Sequence, residues 1–353
     1  MSERVVIIGA GQTGRGFINR LVMESGEQAV FIEKDADLIE NLRNQSYQIR
    51  FGEGARIPFA AEIKTIYSPD SQEAIDTIAK AEIVITAIGT DHLTELTSLL
   101  EAALKQRTED TPLMVLLCEN GVNAHEKFAV FKPNPAIEIS DAIIFCTTLS
   151  SGLDIVSEEM DSIPYDSSAL SGPINLKGFL PDAHLGTLMK RKIYTYNCLS
   201  ACIAYTGALY GYTSYAEAAC DPRIEQRMKA IQDPLDRVVS KEYMTPLAEQ
   251  HDFSTKAIRK FQNKSIVDTI DRNARNALRK LGRNERIVAP LRLMEIYHEV
   301  SEALLEVAAM AYCYGIVHHE FTSEQQPIKM LFRELPEAWI KIIENSVQRY
   351  LRA

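Results

Sequence analysis

Metal-site and disulfide spacings are missing from this sequence. Its six cysteines (118, 146, 198, 202, 220 and 313) are scattered, without a Cys-x-x-Cys pair or a His/Cys cluster. That excludes a zinc finger or a disulfide scaffold and suits reduced thiols in the cytoplasm. Long apolar runs are also absent. No uncharged stretch approaches the roughly 18 residues that span a bilayer, and the nearest, Val307–Val317, is too short. The N-terminus passes from Met-Ser-Glu-Arg straight into Val5-Val6-Ile7-Ile8-Gly9, a strand entering a turn and not a secretion signal. Positive charge is in deficit, with 38 Lys and Arg against 48 Asp and Glu and a net charge of −10. This argues against a general nucleic-acid binder. There is no internal repeat and no low-complexity tract. What is present is ordinary for a globular protein, 46% hydrophobic and 24% charged residues over 353 positions, which excludes a long disordered chain and gives two domains as the first expectation. The expected protein is a cytoplasmic enzyme with neither a membrane nor a nucleic-acid partner.

The two halves of the chain differ in pattern. Up to about residue 150, β-rich runs at Val5–Ile8, Ala29–Ile32, Ile83–Ala87, Leu113–Leu117 and Ala142–Cys146 alternate with helical stretches such as Phe17–Glu24 and Ala36–Leu42. Repeated strand–helix–strand units imply an α/β fold, a Rossmann-type doubly wound parallel sheet with right-handed crossovers. Beyond about residue 190 the apolar residues recur at three- and four-residue spacing, as in Ile224/Met228/Ile231 and Leu304/Leu305/Ala308. Pro222, Pro234, Pro246, Pro290, Pro327 and Pro336 punctuate that half as helix boundaries would. Ser150–Pro181 suits hairpins or loops that bridge the two. The expected division is residues 1–188 for nucleotide binding and 189–353 for a mainly α-helical substrate domain. No exposed heptad seam is apparent, so a monomer is expected.

Gly9-Ala10-Gly11-Gln12-Thr13-Gly14 is a G-x-G-x-x-G that follows a strand and opens a helix. Gly9 permits the tight turn, Gly11 lets backbone approach a pyrophosphate, and Gly14 lets helix and strand pack closely. Gln12 and Thr13 open the helix, whose free N–H groups and positive dipole end face the phosphates. Glu33 lies 19 residues after Gly14, at the end of the second strand, where a carboxylate accepts ribose hydroxyls. A carboxylate there repels a 2′-phosphate, so NAD is expected as cofactor, with FAD the alternative nucleotide. Two further loops sit at strand ends, Ile88-Gly89-Thr90-Asp91 and Cys118-Glu119-Asn120-Gly121. Asn120 is either half of an Asn-Gly turn or an amide that reaches a substrate oxygen.

Lys190-Arg191-Lys192-Ile193-Tyr194-Thr195-Tyr196-Asn197-Cys198-Leu199-Ser200 stands at the junction of the halves. It reads in two ways. Three basic residues before a helix can be a solvated surface, with Asn197 as the helix start. Alternatively Lys192 is a general base and Asn197 holds the reacting oxygen. A lysine can take an alcohol proton only if its pKa falls from ~10.4 towards ~7–8. Burial and cations such as Lys190 and Arg191 push it that way. Lys256–Arg292 holds eleven Lys and Arg against three acids. Arg272, Arg275 and Arg279 repeat at three and four, which places three guanidinium groups on one helix face. That row is either a solvated face or a clamp for a substrate phosphate.

The chain resembles the polyol-specific long-chain dehydrogenases, the mannitol dehydrogenase family, from residue 5 to about 292. Gly9–Phe17 (GAGQTGRGF) looks like that family's nucleotide loop, and Thr86–Gly89 and Cys118–Gly121 match its later strand-end loops. Lys192–Gly207 (KIYTYNCLSACIAYTG) is similar to its active-site helix, with signature Lys-x4-Asn-x2-His. Phe261–Leu281 resembles its second block, with Asn263, Asp268, Arg272, Arg275, Arg279 and Lys280 in family-like places. The resemblance implies a Rossmann domain with a helical substrate domain, and NAD-dependent interconversion of a sugar-alcohol phosphate and a ketose phosphate without a metal. It puts the base on Lys192 and the oxyanion-holding amides on Asn120 and Asn197.

The family's histidine falls on Ser200, and this is a departure. Serine keeps one hydroxyl but is shorter and does not titrate near pH 7. Ser200 could serve through water, or a histidine from elsewhere, His298 first, could fill the gap. The alternatives to a sugar-phosphate substrate are a different anionic sugar, of fructuronate or tagaturonate type, and a nucleotide-binding protein whose catalysis is lost or altered. The β-hydroxyacid dehydrogenases and ketopantoate reductases share a lysine and a nucleotide domain but lack the Lys192 helix combined with the 261–281 block.

Overall fold

A computed structural model describes residues 4–52, 57–119, 121 and 123–352. The chain forms two compact units, Met1–Gly186 and Thr187–Ala353.

The first unit is built on a six-stranded, all-parallel sheet. Its order is Ile66–Tyr67, Ala29–Ile32, Val5–Ile8, Ile83–Thr86, Leu113–Leu117, Ile137–Asp141. The order reverses beside Val5–Ile8, which pairs with Ala29–Ile32 on one side and Ile83–Thr86 on the other, so the loop after it opens at the switch point of a doubly wound sheet. Val5–Ile8 and Ile83–Thr86 are buried throughout, which is why they read as apolar runs without alternation. Helices Ala36–Asn44 and Gln72–Lys80 start on side-chain caps, Asp35 accepting from the Leu38 amide and Ser71 from the Ala74 amide.

The apolar run at 142–146 is not a strand of this sheet. The sixth strand is Ile137–Asp141, and only Ala142 extends it, through a single bridge to Tyr165. Ala142, Ile143, Ile144 and Cys146 are buried all the same, so their hydrophobicity reports packing and not pairing. A second sheet orders Phe59–Ala61, Tyr47–Phe51, Asp154–Ser157 and Thr148–Ser151. It lies against the start of the first helix: a Cβ on Gly16 would meet Ile155 at 2.6 Å. Arg15, itself buried, donates to the Leu153 and Gly152 carbonyls from the same helix start.

The second unit is helical. Helices Cys198–Leu209 and Glu302–Val317 are buried on nearly every side and form its centre. The apolar run at 307–317 is therefore a core helix, and no described helix is long and apolar enough to cross a membrane. Around them pack Pro222–Glu242, Leu247–Phe261 and Glu337–Tyr350. Pro222, Pro246, Pro327 and Pro336 stand at helix starts. Pro234 does not; it lies inside Pro222–Glu242. A proline there removes the amide that would serve the carbonyl four residues back, and the Ser301 hydroxyl donates to that carbonyl, of Ala230, at 3.4 Å. Pro290 likewise falls within a helix, Val288–Ile296, in its first turn where no amide is needed.

Candidate functional site

Three glycines of the first unit take three different parts. Gly9 has φ +100°, and a Cβ on it would stand 2.6 Å from the Ala87 carbonyl oxygen, so neither backbone nor space admits a side chain. A Cβ on Gly14 would fall 1.9 Å from the Gly9 carbonyl oxygen, which makes Gly14 a packing residue. Gly11 has nothing within 4 Å of its Cβ position. It opens on a cleft of about 440 Å³ lined by Gly9, Glu33, Asp70, Ile88, His92 and Leu96, among others. Open space beside Gly11, at the start of the Gln12–Ile18 helical turn, fits a diphosphate approached by bare backbone. Thr13 lies in that turn, its Oγ1 3.5 Å from Thr148 Oγ1.

Glu33 ties the mouth of the cleft together. Its Oε2 accepts from the Ala10 amide at 2.7 Å, and its Oε1 from the Lys34 and Asp35 amides at 2.8 and 3.0 Å. A carboxylate has about four acceptor sites, so Oε2 keeps one for a ligand hydroxyl. Glu119 was not singled out by its sequence context, yet it is buried and braces the loop at the other wall. It accepts from Thr86 Oγ1 at 2.8 Å, the Ile88 amide at 3.1 Å and the Gly89 amide at 2.8 Å. Asn120 lies outside the described residues.

In the second unit, Lys192 ends the helix Leu185–Lys192 and is 6% exposed. Burial, helped by the Lys260 and Arg286 cations, lowers its ammonium pKa to about 7. The sequence neighbours do not supply that effect: Lys190 is exposed, and Arg191 bonds Glu249 and Gln250. Nor is Asn197 a helix start. Residues 185–209 run on through a wide turn, Ile193–Asn197, where hydrogen bonds reach five residues instead of four. In a regular α-helix five residues turn about 500°, which would leave Asn197 about 140° from the Lys192 face. The wide turn absorbs that offset and brings Lys192 and Asn197 to one side. Ser200, three residues on, shares the side.

Ser200 Oγ accepts from the hydroxyl of Tyr215 at 2.8 Å. Tyr215 is buried, its ring edge-on to Phe261, and burial raises its phenol pKa. His298 is exposed with φ +57°, beyond the end of Val288–Ile296.

The arginine row is not one helix face. The helix Ile270–Ala274 ends at Arg275, Asn276 is left-handed with φ +61°, and a new turn begins at Ala277. Arg272 pairs with Asp268 at 2.6 Å and Arg279 with Glu285 at 3.1 Å. Arg275 is exposed and pairs with no carboxylate among the described residues. The break turns Lys280 inward, where it is 5% exposed and donates to the Asn273 carbonyl. Burial and then Arg286 lower its pKa to about 7. Arg286 thus acts on both buried lysines, while its own guanidinium meets Glu285 at 3.1 Å. Lys192, Lys260, Lys280 and Arg286 make the cationic centre of this unit, and only Lys192 and Lys280 of these four were marked individually in the sequence.

Family models match both units: the mannitol dehydrogenase Rossmann domain over residues 3–147 and the mannitol dehydrogenase C-terminal domain over residues 184–345. A protein named mannitol-1-phosphate 5-dehydrogenase from Enterococcus faecalis is 28% identical over 98% of this chain and 98% of its own. One of the same name from Streptococcus mutans is 27% identical over 94% and 92%. A solved structure of Pseudomonas fluorescens mannitol 2-dehydrogenase, a ternary complex with NAD and D-mannitol, covers 100% of this chain and 92% of its own, with TM-score 0.78 at 16% identity. That likeness shows the shared fold.

Proposed function

The chain belongs to the mannitol dehydrogenase family of oxidoreductases, and from that membership we propose that it interconverts a sugar-alcohol phosphate and a ketose phosphate, with NAD as cofactor, Lys192 as general base and no metal. The observation that carries this reading is the burial of Lys192, 6% exposed, one wide turn before Asn197, and burial lowers its ammonium pKa. The leading substrate pair is mannitol 1-phosphate and fructose 6-phosphate, after the names of the relatives.

NAD, when bound, supplies the hydride acceptor. Gly9, Gly11, Gln12, Thr13 and Gly14 would hold its diphosphate, Glu33 its ribose, and Ile88 and Gly89 the opposite wall. Lys192, neutral in part near pH 7, takes the hydroxyl proton, and its ammonium form returns it to the ketose. The Asn197 amide donates to the oxygen as negative charge grows there without competing for the proton. Asn120 is the second amide on the resemblance alone. Ser200, held by Tyr215, has its own O–H left to donate to a substrate oxygen. Arg286, with Lys260 and Lys280, offers the anion site, in place of the row of Arg272, Arg275 and Arg279.

The pH dependence tests the base. Polyol oxidation needs neutral Lys192, so its kcat/KM should rise with pH through about 7, while ketose reduction needs the ammonium and should fall over the same range. Profiles flat from pH 6 to 8 in both directions would remove Lys192 from the role. Glu33→Gln tests the cofactor: loss of the charge that repels a 2′-phosphate should move the NADPH to NADH ratio of kcat/KM up by about tenfold, the equivalent of about 1.4 kcal/mol. An unchanged ratio would count against Glu33 as the ribose residue.

A further inference from the structure

The helices around Lys192 carry a polar chain where apolar packing would serve stability as well. Thr195, Asp236, Gln250 and Ser254 are all at most 1% exposed. Gln250 Nε2 donates to Thr195 Oγ1 at 2.9 Å and to Asp236 Oδ1 at 3.2 Å. Its Oε1 accepts from Arg191 Nε at 3.2 Å. Asp236 Oδ2 in turn accepts from Ser254 Oγ at 2.7 Å and stands 3.0 Å from His251 Nδ1. A carboxylate only accepts, so the amide end that faces Asp236 must be the NH2, and the carbonyl end must face Arg191. The orientation of Gln250 is therefore dictated and not free to flip.

Replacing a buried polar network by apolar side chains is often neutral or stabilising, so stability alone does not call for this one. Its position does. The two ends of the Gln250 amide reach residues 191 and 195, one on each side of Lys192, where the helix departs from regular spacing. Wide turns of this kind are rare and recur at functional sites. We propose that Gln250 is a positioning residue for the reaction: its amide, oriented by Asp236, clamps the Ile193–Asn197 turn and so sets the register that puts Lys192 and Asn197 on one side. The inference rests on the reading of Lys192 as the base. It assigns Gln250 and Asp236 no contact with substrate; they act through the turn.

The experiment uses the full-length protein, with kcat, KM for both substrates and the kinetic pKa of ketose reduction measured for Gln250→Met, Thr195→Val and Thr195→Ser. Methionine and valine keep the volume and remove the bonds; serine keeps the acceptor oxygen. Loss of the clamp should lower kcat by about 100-fold, as a misplacement near 1 Å does, and leave KM for NADH unchanged. It should also raise the kinetic pKa above about 7, because a loosened Lys192 gains water while Lys260 and Arg286 still face it. Thr195→Ser should behave as the parent. Met228→Ala opens a core cavity in Pro222–Glu242, the helix that carries Asp236, and controls for general destabilisation. It should lower thermal stability without moving the kinetic pKa. Folded Gln250→Met and Thr195→Val with parental kcat and kinetic pKa would overturn the clamp, as would a loss of kcat with the kinetic pKa unmoved. Turnover that survives Lys192→Met would sink the base reading itself, and that outcome is separate from both.

Discussion

Replacing Lys192 by methionine lowers turnover by about 10²–10⁴-fold, the range that a positioned proton-transfer group supplies, and leaves NADH affinity unchanged. The reason is that the side chain is buried and its charge suppressed. Burial of an ammonium is unfavourable in itself, and here Lys260 and Arg286 oppose the charge further. Methionine has a similar length and no charge, so the variant should melt no lower than the parent. Activity loss with retained stability and retained NADH binding, read by calorimetry and by titration of NADH fluorescence, separates a chemical role from a folding role. A variant that unfolds or loses NADH would make Lys192 a structural residue.

Alanine at Gly11 and alanine at Gly14 should fail in different ways. Gly11 has φ −67° and ψ −169°, a conformation open to any residue, and its Cβ direction meets empty space. Gly11→Ala should therefore fold with parental stability and lose NADH affinity by about 100-fold or more, because the methyl occupies the line along which backbone meets the diphosphate. Gly14→Ala puts a carbon 1.9 Å from the Gly9 carbonyl oxygen. Helix and turn must separate, at a cost of about 1–3 kcal/mol for an overpacked site, so melting temperature and NADH affinity should fall together. Thermal melts beside NADH titrations decide it. Equal loss of stability in both variants would contradict the division of labour among the glycines.

The parallel sheet and the nucleotide loop were legible because their signals are local. A strand, three glycines and a carboxylate at fixed offsets fall within residues 5–33, and the structure places them at the switch point of the sheet. The helical second half was legible from periodicity for the same reason. What was not legible depends on distant partners. The wide turn at Ile193–Asn197 is held by Gln250, 55 residues on from Thr195, and nothing in the local string KIYTYN announces it. The helix break at Arg275 is another case. The segment lacks glycine and proline, yet the Glu320 carboxylate accepts from the Asn276 amide at 2.7 Å and also from that of Ala277, which starts a second helix there. That contact spans more than forty residues, and it dissolves the arginine row read from spacing. Likewise, the cations that depress Lys192 come from Lys260 and Arg286, remote in sequence, and not from adjacent Lys190 and Arg191. Apolarity at 142–146 marked burial correctly and pairing wrongly, since the two coincide only inside a ladder.

The most direct measurement is the consumption of NADH with fructose 6-phosphate, with free fructose and fructuronate run beside it on the parent and on Lys192→Met. The expected result is turnover that needs both the phosphate and Lys192. Turnover on fructuronate alone, or equal turnover on free fructose, would contradict the phosphorylated substrate. NADH binding without turnover on any of the three would contradict the catalytic reading and point to a nucleotide-binding protein in which Ser200 marks lost chemistry.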